Sequence, residues 1–144
     1  MVTSSLTIED FPERSVDKLR YGDTDRQGHI NNARYPTFFE TGRTEILHVR
    51  SGGMADEGCS FVLARILIEF RSELLWPGTV EIGTRVKKIG NSSITFEQAI
   101  FQDGMLAATA ESVVVQSNNS TRRSQPLSEQ ACKRFEALMT GVKV

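Results

Sequence analysis

The chain has 144 residues, 39% hydrophobic and 24% charged, with a formal net charge of −1. That length suits one domain, read as 1–144, whose folding buries about two-thirds of the chain's surface. The near-neutral balance gives no general attraction to nucleic acid or to an anionic membrane. Cys59 and Cys132 are too few and too far apart for a disulfide framework, and with His29 and His48 they complete no zinc site. A reducing, cytoplasmic setting is the simplest inference.

In chain order, Met1–Asp10 lacks the basic start and apolar centre of a signal peptide. No run is long enough to span a bilayer, and the first dozen residues are expected to be loosely held. Val16–Tyr21 alternates well enough for a strand. Gly22-Asp23-Thr24-Asp25-Arg26-Gln27-Gly28 are turn formers, because glycine supplies positive φ and Asp side chains bond nearby backbone N–H groups. After Asn31 and Asn32 the period changes. Tyr35, Phe38, Phe39, Gly42, Ile46 and Val49 recur at three- and four-residue steps, the stripe of an amphipathic helix. Asn is a good N-cap and Pro36 fits only near a helix start, so the helix begins close to Asn32. Its unpaired N–H groups and positive dipole end then face the Asp-rich turn.

Ser51-Gly52-Gly53 should end that helix, with a loop over Met54–Ser60. Phe61–Phe70 reads as a strand whose even positions, Val62, Ala64, Ile66, Ile68 and Phe70, pack inward. Trp76-Pro77-Gly78 is a turn, and Thr79–Ile89 alternates Val80, Ile82 and Val86 against Glu81, Arg85 and Lys87. Ser93–Phe101 follows, and Asp103-Gly104 is a hairpin signal leading into Met105–Gln116, rich in Ala and Val as a central strand would be. Asn118–Ser124 is polar, and Pro126–Met139 suits a short amphipathic helix with Ala131, Phe135 and Leu138 inward. Short turns make neighbouring antiparallel strands, and the aromatic helix must lie across their apolar face. The class is α+β, one antiparallel sheet wrapped around a long helix.

Carboxylate, histidine and helix N-terminal amides together suit acyl transfer: the carboxylate activates water or attacks a carbonyl, and the amides hold the oxyanion. Taken alone, Asp23 and Asp25 are ordinary turn and capping residues, His29 an ordinary surface histidine, Asn31 and Asn32 a cap pair, Tyr35 a core residue, and Glu40 with Arg43 an intrahelical pair. From Asp23 the segment also imitates a calcium-binding helix-loop-helix at four positions. Arg34 stands where the bidentate Glu belongs, Gln27 weakens the fifth position and no helix precedes it, which argues against calcium.

Tyr21-Gly22-Asp23-Thr24-Asp25, Gly28-His29-Ile30-Asn31-Asn32-Ala33-Arg34-Tyr35, Phe39-Glu40 and Arg43 together resemble the signature of hotdog-fold acyl-CoA thioesterases, the 4-hydroxybenzoyl-CoA thioesterase-like group. Later features extend the likeness to about Gln125. The resemblance implies a hotdog fold and an enzyme that hydrolyses acyl thioesters without metal or cofactor. In that family the second Asp of the motif is the catalytic carboxylate, which falls on Asp25, and the N–H that polarises the thioester carbonyl falls on about Asn32. Asp23 is then the structural residue of the pair. His29 would support Asp25 or contact substrate, Asn31 would orient substrate, Tyr35 would be core or pocket wall with its hydroxyl near the site, and Glu40 would pair or line the site. His29-Ile30-Asn31-Asn32 stands where the 4-hydroxybenzoyl enzymes have an apolar and aromatic run, so a fatty acyl-CoA or acyl-carrier-protein thioester is the implied substrate. Relatives pair sheet edges into dimers and often tetramers, which implies a homodimer or homotetramer here. The rival readings are a hotdog dehydratase and a non-hydrolytic acyl-thioester binding protein.

Overall fold

A computed structural model of the chain describes residues 6–49 and 52–139. Strands β1 (Glu13–Lys18), β2 (Cys59–Phe70), β3 (Thr79–Ile89), β4 (Ser93–Gln102) and β5 (Met105–Asn118) form one antiparallel sheet in the order β1-β3-β4-β5-β2. The helix α1 (Tyr35–Thr44) continues into a π turn, Glu45–Val49, and the short helix α2 (Glu129–Glu136) closes the described chain. The architecture is the α+β hotdog arrangement, with β5 an interior strand as its composition suggests.

Helix α1 lies on the sheet because its stripe has nowhere else to go. Tyr35, Phe38 and Phe39 are buried with Ile82, Ile100 and Ala108 of the sheet in one cluster, and Ile46 joins Val86, Ile94, Phe96 and Phe135 in a second. Gly42 marks the closest approach. A Cβ there would lie 2.7 Å from Gln98 Nε2, 2.9 Å from Thr84 Oγ1 and 3.0 Å from Ile82 Cγ2. Gln98 is already committed, since its amide donates to the Phe39 carbonyl (3.0 Å) and the Thr84 hydroxyl (2.9 Å). Gly42→Ala is therefore expected to destabilise the fold by about 1–3 kcal/mol through overpacking, against the roughly 1 kcal/mol of helix propensity that Ala gains. Urea unfolding measures the difference.

The fold corrects several expectations. Val49 is 72% exposed, because the wider π turn rotates it off the stripe and brings Leu47 inward instead. Strand β1 begins earlier than Val16 and ends at Lys18. Its inward side is polar: Ser15 donates to Glu45 Oε1 (2.6 Å) and Asp17 accepts from the Thr41 hydroxyl (3.5 Å), so Val16 faces out. Tyr21 lies beyond the strand in a 3-10 turn, Tyr21–Asp23. Strand β2 starts at Cys59, and a bulge between Leu63 and Arg65 changes its parity. Phe61 packs inward before the bulge and Ile66 and Ile68 after it, while Val62 and Phe70 are half-exposed on what is an edge strand.

Of the N-terminal segment expected to be loose, residues 1–5 lie outside the described residues. The remainder is packed: Ile8–Asp10 forms a 3-10 turn with a Thr7 capping box, and Phe11 is buried against Phe101 over Gly83, with the Arg85 guanidinium 4.8 Å from its ring centre. Ser51, expected to help end the helix, also lies outside the described residues.

The second helix is shorter than Pro126–Met139 because Ser128 is its N-cap, its hydroxyl accepting from the Ala131 N–H (3.0 Å). Asp56 fixes that cap, accepting from the Ser128 hydroxyl (2.6 Å), the Ser128 N–H (2.9 Å) and Gln116 (3.0 Å). Burial raises the Asp56 carboxyl, but the bonds from Ser128 and Gln116, with Arg134 nearby, outweigh it and hold the group below the usual carboxylate range. A depressed folded-state value stabilises above the unfolded value, about 3.9, and the stabilisation is lost as pH falls through the folded value. Asp56→Asn is expected to lower stability at neutral pH and to flatten its decline below about pH 4, measured by urea unfolding across pH.

Candidate active site

The loop before α1 is built by its own side chains. The Asp23 carboxylate accepts from the Arg20 N–H (3.0 Å) and lies 3.7 Å from Arg34 Nε, while its carbonyl accepts from the Asn31 N–H (2.8 Å). Asp23 thus ties the turn to the helix entrance. Asp25 closes the next turn: its N–H donates to the His29 carbonyl (2.8 Å) and its carbonyl accepts from Gly28 (3.1 Å), whose φ of +86° glycine adopts without strain. The carboxylate is held by one oxygen. Asp25 Oδ1 accepts from the N–H groups of Gln27 (2.8 Å) and His29 (3.3 Å), and Oδ2 has no partner among the described residues.

The helix entrance is equally specific about its amides. A 3-10 turn, Asn32–Arg34, precedes α1, and the Asn31 side chain caps it by accepting from the Ala33 N–H (2.9 Å). Arg34 donates to the Asn31 carbonyl and Tyr35 to the Asn32 carbonyl, while Pro36 has no N–H. The Asn31 N–H is taken by Asp23. Within this entrance the Asn32 N–H is left without an acceptor among the described residues.

Asp25, His29, Asn31, Asn32 and Tyr35 line one open cavity of about 520 Å³, so five of the six site residues expected from sequence are brought together. Glu40 is not among its lining residues; it is exposed further along α1. Its expected partner Arg43 is buried, with Nη1 turned to Gln98 Oε1 at 3.4 Å, and burial lowers the guanidinium's pKa against the opposing pull of Glu40. Tyr35 is buried edge-on to Phe70, ring centres 4.9 Å apart, and burial pushes its phenol up, partly offset by the Leu74 backbone.

The cavity's other wall was not foreseen. Phe70, Arg71, Ser72 and Glu73, at the end of β2, complete it. A single bridge pairs His29 with Leu75, the Ile30 N–H donates to the Leu74 carbonyl (3.0 Å), and His29 Nε2 lies 3.3 Å from Glu73 Oε1. The His29 imidazole therefore faces Glu73, and its link to Asp25 is through the backbone. Only a weak signal, a polar Ser-Glu pair between apolar runs, marks this wall in the sequence.

Among the described residues, a carboxylate with one unpartnered oxygen, a helix-entrance amide without an acceptor and a histidine beside a second carboxylate share this cavity. These are parts that acyl transfer requires. The chain belongs to the thioesterase-like superfamily, whose model matches residues 19–135, and its enzyme class is thioester hydrolase. It is 29% identical over 102 residues to the Escherichia coli acyl-CoA thioester hydrolase YbgC, covering 68% of this chain and 76% of that one. It is 27% identical over 104 residues to the Haemophilus influenzae acyl-CoA thioesterase YbgC, covering 69% and 74%. The PA5185 protein of Pseudomonas aeruginosa superposes with a TM-score of 0.83 at 25% identity, covering 95% of this chain and 98% of that one. A Thermus thermophilus thioesterase in complex with coenzyme A and Zn superposes with a TM-score of 0.76 at 29% identity, covering 90% and 96%.

Proposed function

We propose that the protein hydrolyses fatty acyl-CoA thioesters to the free acid and CoA. The observation that carries this reading is the shared cavity of the half-committed Asp25 carboxylate and the acceptor-free Asn32 N–H. The thioester oxygen would accept from Asn32 as the carbonyl carbon becomes tetrahedral. Asp25 Oδ2 would take a proton from the attacking water, or attack first to give a mixed anhydride that water then cleaves. Either route expels the CoA thiolate, which regains a proton. The names of the E. coli and H. influenzae relatives support an acyl-CoA substrate. Release of free thiol from a panel of short, medium, long and aromatic acyl-CoAs tests it, with hydrolysis of aliphatic members expected; hydrolysis of none would contradict the reading.

Glu73 enters as a positioning residue that orients His29 toward substrate or water. Glu73→Ala is expected to lower kcat/KM by about 10- to 100-fold through loss of that orientation. Glu73→Gln, which still offers an acceptor to the ring, should recover most of it; steady-state kinetics on both variants measures the split.

A second copy belongs to the same reading. Edge strand β2 carries half-exposed Val62, Leu63, Leu67 and Phe70, and Phe70 also lines the cavity. An uncovered apolar edge favours pairing with another sheet, so a homodimer or homotetramer is expected by light scattering.

A further inference from the structure

The turn that carries Asp25 and His29 reaches the sheet through the connection between β2 and β3. The Ile30 N–H donates to the Leu74 carbonyl (3.0 Å), a single bridge joins His29 to Leu75, and the Leu19 N–H donates to the Gly78 carbonyl (2.9 Å). Residues 74–78 therefore support the loop of residues 20–30 at both its entrance and its exit. Yet this support belongs to no named strand. Its beginning is tied to β5, where the Arg71 and Ser72 N–H groups donate to the Ala107 carbonyl (2.8 and 3.1 Å). Further along, a side chain takes the place of a neighbouring strand. Gln102, the last residue of β4, accepts from the Leu75 N–H with Oε1 (3.0 Å) and donates to the Leu75 carbonyl with Nε2 (2.8 Å). The same amide lies under Gly78, where a Cβ would stand 3.0 Å from Nε2. Leu75 is thus held between Gln102 on one side and His29 on the other.

We propose that Gln102 is a positioning residue for the hydrolysis, acting through Leu75 on the turn that holds His29 and Asp25; the proposal rests on the thioesterase reading above. Stability alone gives the clamp little purpose. Leu75 is 51% exposed, so water can replace both bonds at small cost to the fold. Water does not supply a fixed direction, and a reacting group displaced by about 1 Å can cost up to about 100-fold in rate.

Three measurements on the full chain test this. Gln102→Leu removes both bonds, and its kcat on acyl-CoA is expected to fall on the order of 10-fold with KM and Tm little changed. Gln102→Glu gives a readout that a purely structural role would not move. Protonated, the new carboxyl can accept from the Leu75 N–H and donate to its carbonyl as the amide does; ionised, it can only accept. Its ordinary pKa of about 4.3 is raised here by the facing carbonyl and by Glu73 and Asp103, which line the same groove. The ratio of its kcat to that of wild type at the same pH is therefore expected to be low near about pH 8 and to rise as pH falls toward that value. The ratio cancels the titrations that the two proteins share. A wild-type kcat in Gln102→Leu, or a ratio independent of pH, would overturn the proposal. Amide hydrogen exchange separates the clamp from the reaction. In Gln102→Leu the Ile30 N–H is expected to exchange on the order of 10-fold faster, with the β4–β5 ladder unchanged. Unchanged exchange at Ile30 would overturn the clamp even if hydrolysis is found. Faster exchange in a protein that hydrolyses no acyl-CoA would uphold the clamp and remove the thioesterase reading.

Discussion

Asp25→Asn is expected to lower kcat by about 10²- to 10⁴-fold while leaving the fold intact. The amide is isosteric, and its oxygen can still accept from the Gln27 and His29 N–H groups that now hold Oδ1, so the turn keeps its bonds. What is lost is the second oxygen's ability to take a proton or attack a carbonyl. Because Asp25 lies in the cavity wall and packs in neither large core cluster, thermal unfolding should change little. A drop in kcat with an unchanged Tm separates the chemical role from a structural one.

The second large effect is expected from a backbone change. Asn32→Pro deletes the N–H of the helix entrance that has no acceptor among the described residues, and the local conformation accepts proline. Asn32 begins a 3-10 turn, whose φ is close to the value proline fixes. Asn31, with φ −59° and ψ 133°, is already in the extended region required of a residue before proline. Loss of a single oxyanion donor costs about 10²- to 10³-fold in kcat, and that is the result expected, again with little change in Tm. Asn32→Ala, which keeps the N–H, should lose far less. Equal losses in the two would assign the role to the Asn32 side chain instead of its amide.

Much of this site is local in sequence, which explains why it could be read there. Asn31 caps the entrance with its own side chain, Asp23 and Asp25 bond to groups within a few residues, and Tyr35, Phe38 and Phe39 repeat at helical spacing. The failures have distinct physical causes. Val49 leaves the stripe because a π turn changes the helical period, and Val62 faces out because a bulge changes the strand's parity. Neither irregularity has a residue signature in the segment. Glu40 keeps helical spacing to Arg43, but burial of the guanidinium against Gln98 is decided by packing of α1 on β4. The Glu73 wall depends on a bridge between His29 and Leu75, a contact between distant segments that only the assembled sheet creates. Sequence periodicity carries local geometry well and long-range contacts poorly, and the site draws on both.

On the proposed mechanism Asp25 and the Asn32 amide together cleave a thioester. The most direct measurement is release of free thiol from a medium-chain acyl-CoA by wild type, Asp25→Asn and Asn32→Pro at equal concentration, each confirmed folded by circular dichroism. Turnover by wild type that falls at least about 100-fold in both variants is the predicted result. Undiminished turnover in a folded Asp25→Asn would move the chemistry to another group and contradict the account.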